Sequence, residues 1–131
     1  DKVHFIIPIN CSFYTDINGD NRFDKVRYFL DGGILKKGVI KPSGIPAVYN
    51  PLNETISEAI HNAILPATST AIFTYYDKNY SGSEVPMASP INTSQIRVIK
   101  TEITIDETPS DVVGRTSSSM TALIRNLRYV E

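Results

Sequence analysis

The stretch Asp16-Ile17-Asn18-Gly19-Asp20-Asn21-Arg22-Phe23-Asp24, with Asp31-Gly32-Gly33 soon after it, constrains the fold more than any other feature of this chain. Both segments hold residues that tolerate positive φ, as tight turns between antiparallel strands require. Between them Val26, Tyr28 and Leu30 alternate with Lys25, Arg27 and Phe29, the period-two pattern of a half-buried strand. Residues 12–15 lead in and residues 34–40 lead out, so residues 12–40 are expected to form a three-stranded antiparallel meander.

The first segment has a second reading. Asp16, Asn18, Asp20 and Asp24 put oxygens at relative positions 1, 3, 5 and 9, as the opening half of a calcium loop does. A hard cation such as Ca2+ needs several oxygens converging from a tightly turned backbone. The sixth position, a glycine in EF-hand loops, holds Asn21, and the twelfth holds Arg27 in place of a chelating Glu. The four residues are therefore a candidate calcium site, weighed against an acidic hairpin tip that binds nothing.

The length of 131 residues implies one domain, residues 1–131, large enough to bury a core without cross-links. The near balance of charge, −1, argues against a nucleic-acid partner, and Lys36-Lys37 is the longest cationic run. A single cysteine, Cys11, excludes an internal disulfide and reads as a small buried hydrophobe beside a strand. No apolar run is long enough to span a membrane. Asp1 is not an initiator residue and no signal peptide follows it, which points to a mature or truncated domain without its N-terminal anchor.

Further along, Pro42, Gly44, Pro46 and Pro51 keep residues 41–52 irregular. Ile56, Ile60 and Ile64 recur every fourth residue, and Asn53 stands where it can cap them, so a short helix is expected over residues 54–64, with strand as the alternative. Residues 3–7 and 70–76 read as strands, residues 77–90 as the longest loop, and residues 96–105 and 118–130 as two long strands that pair antiparallel. Alternation along Tyr75-Tyr76 predicts one ring in the core and one outside.

An enzyme is not expected. His4 and His61 lack any paired metal-ligand spacing, and Ser117-Ser118-Ser119 lacks a nucleophile elbow. Gly32-Gly33 is too short for a phosphate loop, while Asp106, Glu107 and Asp111 lie in a solvated linker. The spaced oxygens of residues 77–84 read as a surface loop.

Several segments in order carry a resemblance. Asp16-Ile17-Asn18-Gly19-Asp20 leads to Tyr28-Phe29-Leu30-Asp31-Gly32-Gly33, then to Phe73-Thr74-Tyr75-Tyr76-Asp77 and Ile96-Arg97-Val98-Ile99, and last to Leu123-Ile124-Arg125-Asn126-Leu127. Over about residues 12–128 the chain resembles the soluble head domains of prepilin-like proteins, the minor pilins of type IV pili and the pseudopilins of type II secretion. That resemblance implies an α+β, mainly β head with an antiparallel meander and at most one short helix. It implies a structural, non-enzymatic role without cofactor, on the surface or tip of an extracytoplasmic filament anchored in the inner membrane before assembly. Partners would be other pilin or pseudopilin subunits and surface ligands, with membrane contact only through an N-terminal helix that this sequence does not contain. The alternative is a calcium-stabilised extracellular adhesion or binding module. A hydrolase of surface polymers would need His61 and distant carboxylates brought into one cleft.

Overall fold

A computed structural model describes residues 10–65, 71–107 and 114–123. The strand expected over residues 3–7 and the part of the 118–130 strand beyond residue 123, together with His4 and Asp111, lie outside them. The structure is mainly β, with no helix beyond single 3-10 turns among the described residues. It divides between Ala63 and Ile64 into two compact units.

In the first unit, β1 (Asn10–Thr15), β2 (Asp24–Asp31), β3 (Ile34–Ile40) and β4 (Thr55–His61) form one antiparallel sheet in chain order. The first three are the meander that the turn chemistry predicted. Thr15 pairs with Asp24, so the acidic stretch caps the β1–β2 hairpin. Asp31 pairs with Ile34, which leaves Gly32 and Gly33 as a two-residue turn. Both take positive φ, 56° and 77°, the requirement of a type I′ turn. Cys11, Val26 and Leu35 are buried on one face of the sheet, where Phe13 stacks on Tyr28 at 6.3 Å.

The helix expected over residues 54–64 does not form. Only Pro51–Asn53 coils, as a 3-10 turn capped by Asn50 rather than Asn53, and β4 runs antiparallel to β3. A spacing of four residues fits a helix face, but Thr55, Ile56 and Ile60 are β-branched and lose rotamer freedom in a helix. The β3–β4 register slips between Leu35 and Lys36, so Ile56 lies opposite Gly38 while Ile60 lies opposite Leu35, on the other face.

The face of the first sheet opposite Val26 is organised by one ion pair. Arg27 of β2 donates through Nε and Nη2 to the two carboxylate oxygens of Glu54, at 2.6 and 2.7 Å. Its guanidinium also lies 4.1 Å from the centroid of the Phe29 ring. Donating to Glu54 raises the Arg27 pKa, against the opposing effect of burial, and the Glu54 charge adds a smaller rise. Arg27 pairs in register with Gly38 of β3, so the fork passes over the strand between its partners. A Cβ at position 38 would run into the Glu54 carboxylate.

In the second unit, β6 (Phe73–Tyr76) and β8 (Arg115–Leu123) both pair antiparallel with β7 (Val98–Asp106). The short β5 (Ala63–Ile64) belongs to the same sheet. The expected pairing of the two long strands holds, with the second starting earlier than residue 118. Ile72, Tyr75, Ile96 and Val98 form the buried centre. The expected split of Tyr75 and Tyr76 fails: they are only 2% and 7% exposed. The chain after β6 folds back to cover them, with Tyr80 tilted against Tyr76 at 4.3 Å and the Met87 amide donating to the Tyr75 carbonyl.

Gly38→Ala is expected to lower stability by about 1–2 kcal/mol, because displacing Glu54 loses charge-assisted hydrogen bonds that outweigh the entropy a strand glycine wastes. In a Glu54→Ala background the same change is expected to be neutral or stabilising. Denaturant unfolding of the four-member cycle checks this; additive effects would show that Gly38 does not serve the fork.

Candidate functional site

The acidic loop between β1 and β2 is shaped by its own hydrogen bonds. Asp16 Oδ1 accepts from the Gly19 and Asp20 amides at 2.7 and 3.2 Å, and Oδ2 from the Asn21 amide at 2.9 Å. Asn18 Nδ2 donates to Asp20 Oδ2, and the Arg22 amide donates to Asp20 Oδ1, each at 2.9 Å. These two bonds, Asn18 first, hold the Asp20 carboxyl below its ordinary pKa. Gly19 and Asn21 supply the positive φ, 74° and 61°, that lets the loop turn back on Asp16.

Of the four candidate calcium ligands, Asp16, Asn18 and Asp20 share this loop. Asp24 stands apart as a β2 residue, buried to 3% exposure. No group of three or more His, Cys, Asp or Glu side chains converges among the described residues, so the carboxylates of Asp16, Asp20 and Asp24 do not meet at one point. Asp16 and Asp20 spend lone pairs on loop donors. The sixth-position conformation that a calcium loop takes from glycine is nevertheless present at Asn21. Arg27, at the twelfth position, is committed to Glu54.

Beside this loop lies an open groove lined by Arg22, Phe23, Pro42, Ile45, Ala47 and Tyr49. The irregular segment expected over residues 41–52 builds its other wall. Ser43 and Val48 exchange backbone hydrogen bonds at 2.9 and 2.8 Å, and Ile45 stands fully exposed at the tip between them. Tyr49 ties the two walls together: its hydroxyl donates to the Phe23 carbonyl at 2.7 Å and its ring meets Tyr14 edge-on at 5.0 Å. Burial, followed by the neighbouring Tyr14 and Asp24, pushes the Tyr49 phenol up.

The other sequence candidates take local roles. His61 is exposed at the end of β4, with Nε2 3.1 Å from Glu58. Ser117 bonds Thr104 across the β7–β8 pair at 2.9 Å. Asp106, expected in a solvated linker, is instead buried at the end of β7; it accepts from Arg115 Nε at 3.1 Å, and its Oδ1 has no partner among the described residues. In the loop after β6, Glu84 accepts from the amides of Ser81, Gly82 and Ser83 and from the Ser81 hydroxyl. This anchor was not legible in the sequence, where Asp77 and Glu84 read only as spaced surface oxygens. Comparison with protein-family models, with curated proteins and with solved structures finds no match to this chain.

The bonds from Ser81, side chain first and then amide, pull the Glu84 carboxyl down from 4.5 to about 2. A depressed folded-state pKa contributes order that is present in full above the unfolded value and lost as pH falls through the folded one. The Ser81–Glu84 turn is therefore expected to stay closed at pH 4.5 and open as pH approaches about 2. Carboxyl-detected NMR titration of Glu84, with amide exchange at Ser81 to Ser83, checks this. An ordinary glutamate titration would refute it.

Proposed function

We propose that this chain is a non-enzymatic structural head subunit of a type IV pilus or secretion pseudopilus, carried on the filament surface or tip outside the cytoplasm. The observation that carries the reading is the exposure of large apolar side chains on the first unit. Ile45 and Leu52 are 101% and 91% exposed, and Phe23 and Val48 more than half. Of these Phe23 and Ile45 line the groove itself, and large apolar side chains exposed beside a groove favour a protein–protein contact. A subunit that must meet neighbours needs such a contact.

The polar groups support a structural role in the same way. Asp16, Asn50, Asp77, Glu84 and Asn92 each bond the backbone of the loop or turn they begin or end. They shape surface loops on a sheet scaffold rather than pointing together at a substrate. The order of the segments that resemble prepilin-like heads adds the class of neighbour, namely other pilin or pseudopilin subunits.

A photo-crosslinking residue in place of Ile45, introduced into the full gene product in its own cells, is expected to yield adducts with pilin-like subunits. Adducts only with unrelated proteins would overturn the reading. The codons upstream give an independent check, since the reading requires a short basic leader followed by about 20 apolar residues.

A second reading, a calcium-stabilised extracellular binding module, is favoured by the positive φ of Asn21 at the sixth loop position. In that case calcium raises the melting temperature and Asp20→Ala abolishes the gain. No shift at millimolar calcium sinks it.

A further inference from the structure

Among the described residues β1, β4, β5, β6 and β8 each pair with one strand only, and the two longest of these edges, β4 with seven residues and β8 with nine, differ in kind. β4 pairs only with β3, and β8 only with β7. An unpaired edge presents a row of free N–H and C=O groups that another strand can add to, and proteins ordinarily guard such edges with charge, proline or a bulge. β4 is guarded. Glu58 stands at its middle, and the register slip opposite Leu35 and Lys36 breaks its line. If two β4 strands paired antiparallel about their centres, Glu58 would face Glu58, a destabilising pair of like charges.

β8 has none of these guards. Its nine residues, Arg115-Thr116-Ser117-Ser118-Ser119-Met120-Thr121-Ala122-Leu123, pair with β7 in unbroken register. They include no proline, no glycine and no acid, and the one cation, Arg115, is drawn to Asp106. Every residue of the strand is exposed, including Met120 and Leu123.

We propose that β8 is a self-pairing edge: two copies of this chain join their β8 strands antiparallel about Ser119. The charge pattern selects the occupant. In that register Ser119 meets Ser119, Ser118 meets Met120, Ser117 meets Thr121, Thr116 meets Ala122, and Arg115 meets Leu123. No like charges oppose one another, and the two Met120 side chains become diagonal neighbours on one face. Strands of one sequence related by a two-fold axis form an isologous contact, which closes at two copies. The unguarded backbone edge is then satisfied along its whole length. The pairing goes beyond the filament reading and does not depend on it, because it is measured on the isolated chain.

Sedimentation equilibrium of the purified chain, from micromolar to millimolar, is expected to show a monomer–dimer equilibrium. Ser119→Lys and Ser119→Glu each place like charges opposite one another on the axis, and each is expected to be monomeric with unchanged circular dichroism. An equimolar mixture of the two is expected to dimerise again, since the opposed charges are then complementary. A wild-type chain that stays monomeric overturns the proposal. So does a dimer that Ser119→Lys leaves intact, or a mixture that fails to reassociate.

Discussion

The fork between Arg27 and Glu54 is the constraint on which the first unit depends. It gathers what the residues around it share: a glycine in the middle of a strand, an aromatic ring beside a cation, and a strand beginning one residue after Glu54. Gly38 is a poor strand residue in isolation, and the sheet tolerates it because a larger side chain would occupy the carboxylate's place. Half-buried and partly wet, the pair gains only modest free energy from charge alone. Its two-point geometry contributes direction as well, since a guanidinium bonded through two nitrogens and seated near Phe29 has little freedom to turn.

The hairpins of that unit were readable because turn chemistry is local. Asp31-Gly32-Gly33 needs nothing beyond its own residues to specify a type I′ turn, and the alternation from Val26 to Leu30 follows from it. β4 was not readable as a strand from isoleucine spacing, because every fourth residue satisfies either a helix face or a strand. The tie-breaker was the β-branched character of Thr55, Ile56 and Ile60, together with an available edge on β3. Arg27 could be seen at the twelfth place of an incomplete metal loop, but its real partner lies 27 residues away, beyond any local pattern. That both rings of Tyr75-Tyr76 are buried, Tyr76 included, was not legible for a similar reason. The cover of Tyr76, Tyr80, comes from a loop whose path depends on the strand it returns to.

The candidate site shows the same division between local and distant information. The loop from Asp16 to Asp24 was recognisable as a tight turn with oxygens facing inward, and its Asp16 bonds have that form. That Asp24 would be buried at the base of β2 depends on strand register, which the loop residues do not encode. The groove wall from Pro42 to Tyr49 was legible only as irregular chain. Its exposed apolar tip follows from the Ser43–Val48 bridge, a contact between two residues without distinctive chemistry. The two units thus carry different surfaces: a groove with exposed apolar side chains beside an acidic loop on one, and on the other a strand edge without acids whose one cation, Arg115, is drawn to Asp106.

The reach of the fork also has a mechanical side. Glu54 precedes the outermost strand of its sheet while Arg27 lies two strands inward, so the pair ties β4 to β2 past β3. A pull on the chain after β4 would otherwise unzip that strand from β3 one ladder bond at a time. With the fork in place the load passes at the near end of β4 to a strand in the interior of the sheet. Peeling started from His61 meets its last resistance where the charge pair sits, and an isolated electrostatic contact becomes the stop on a zipper.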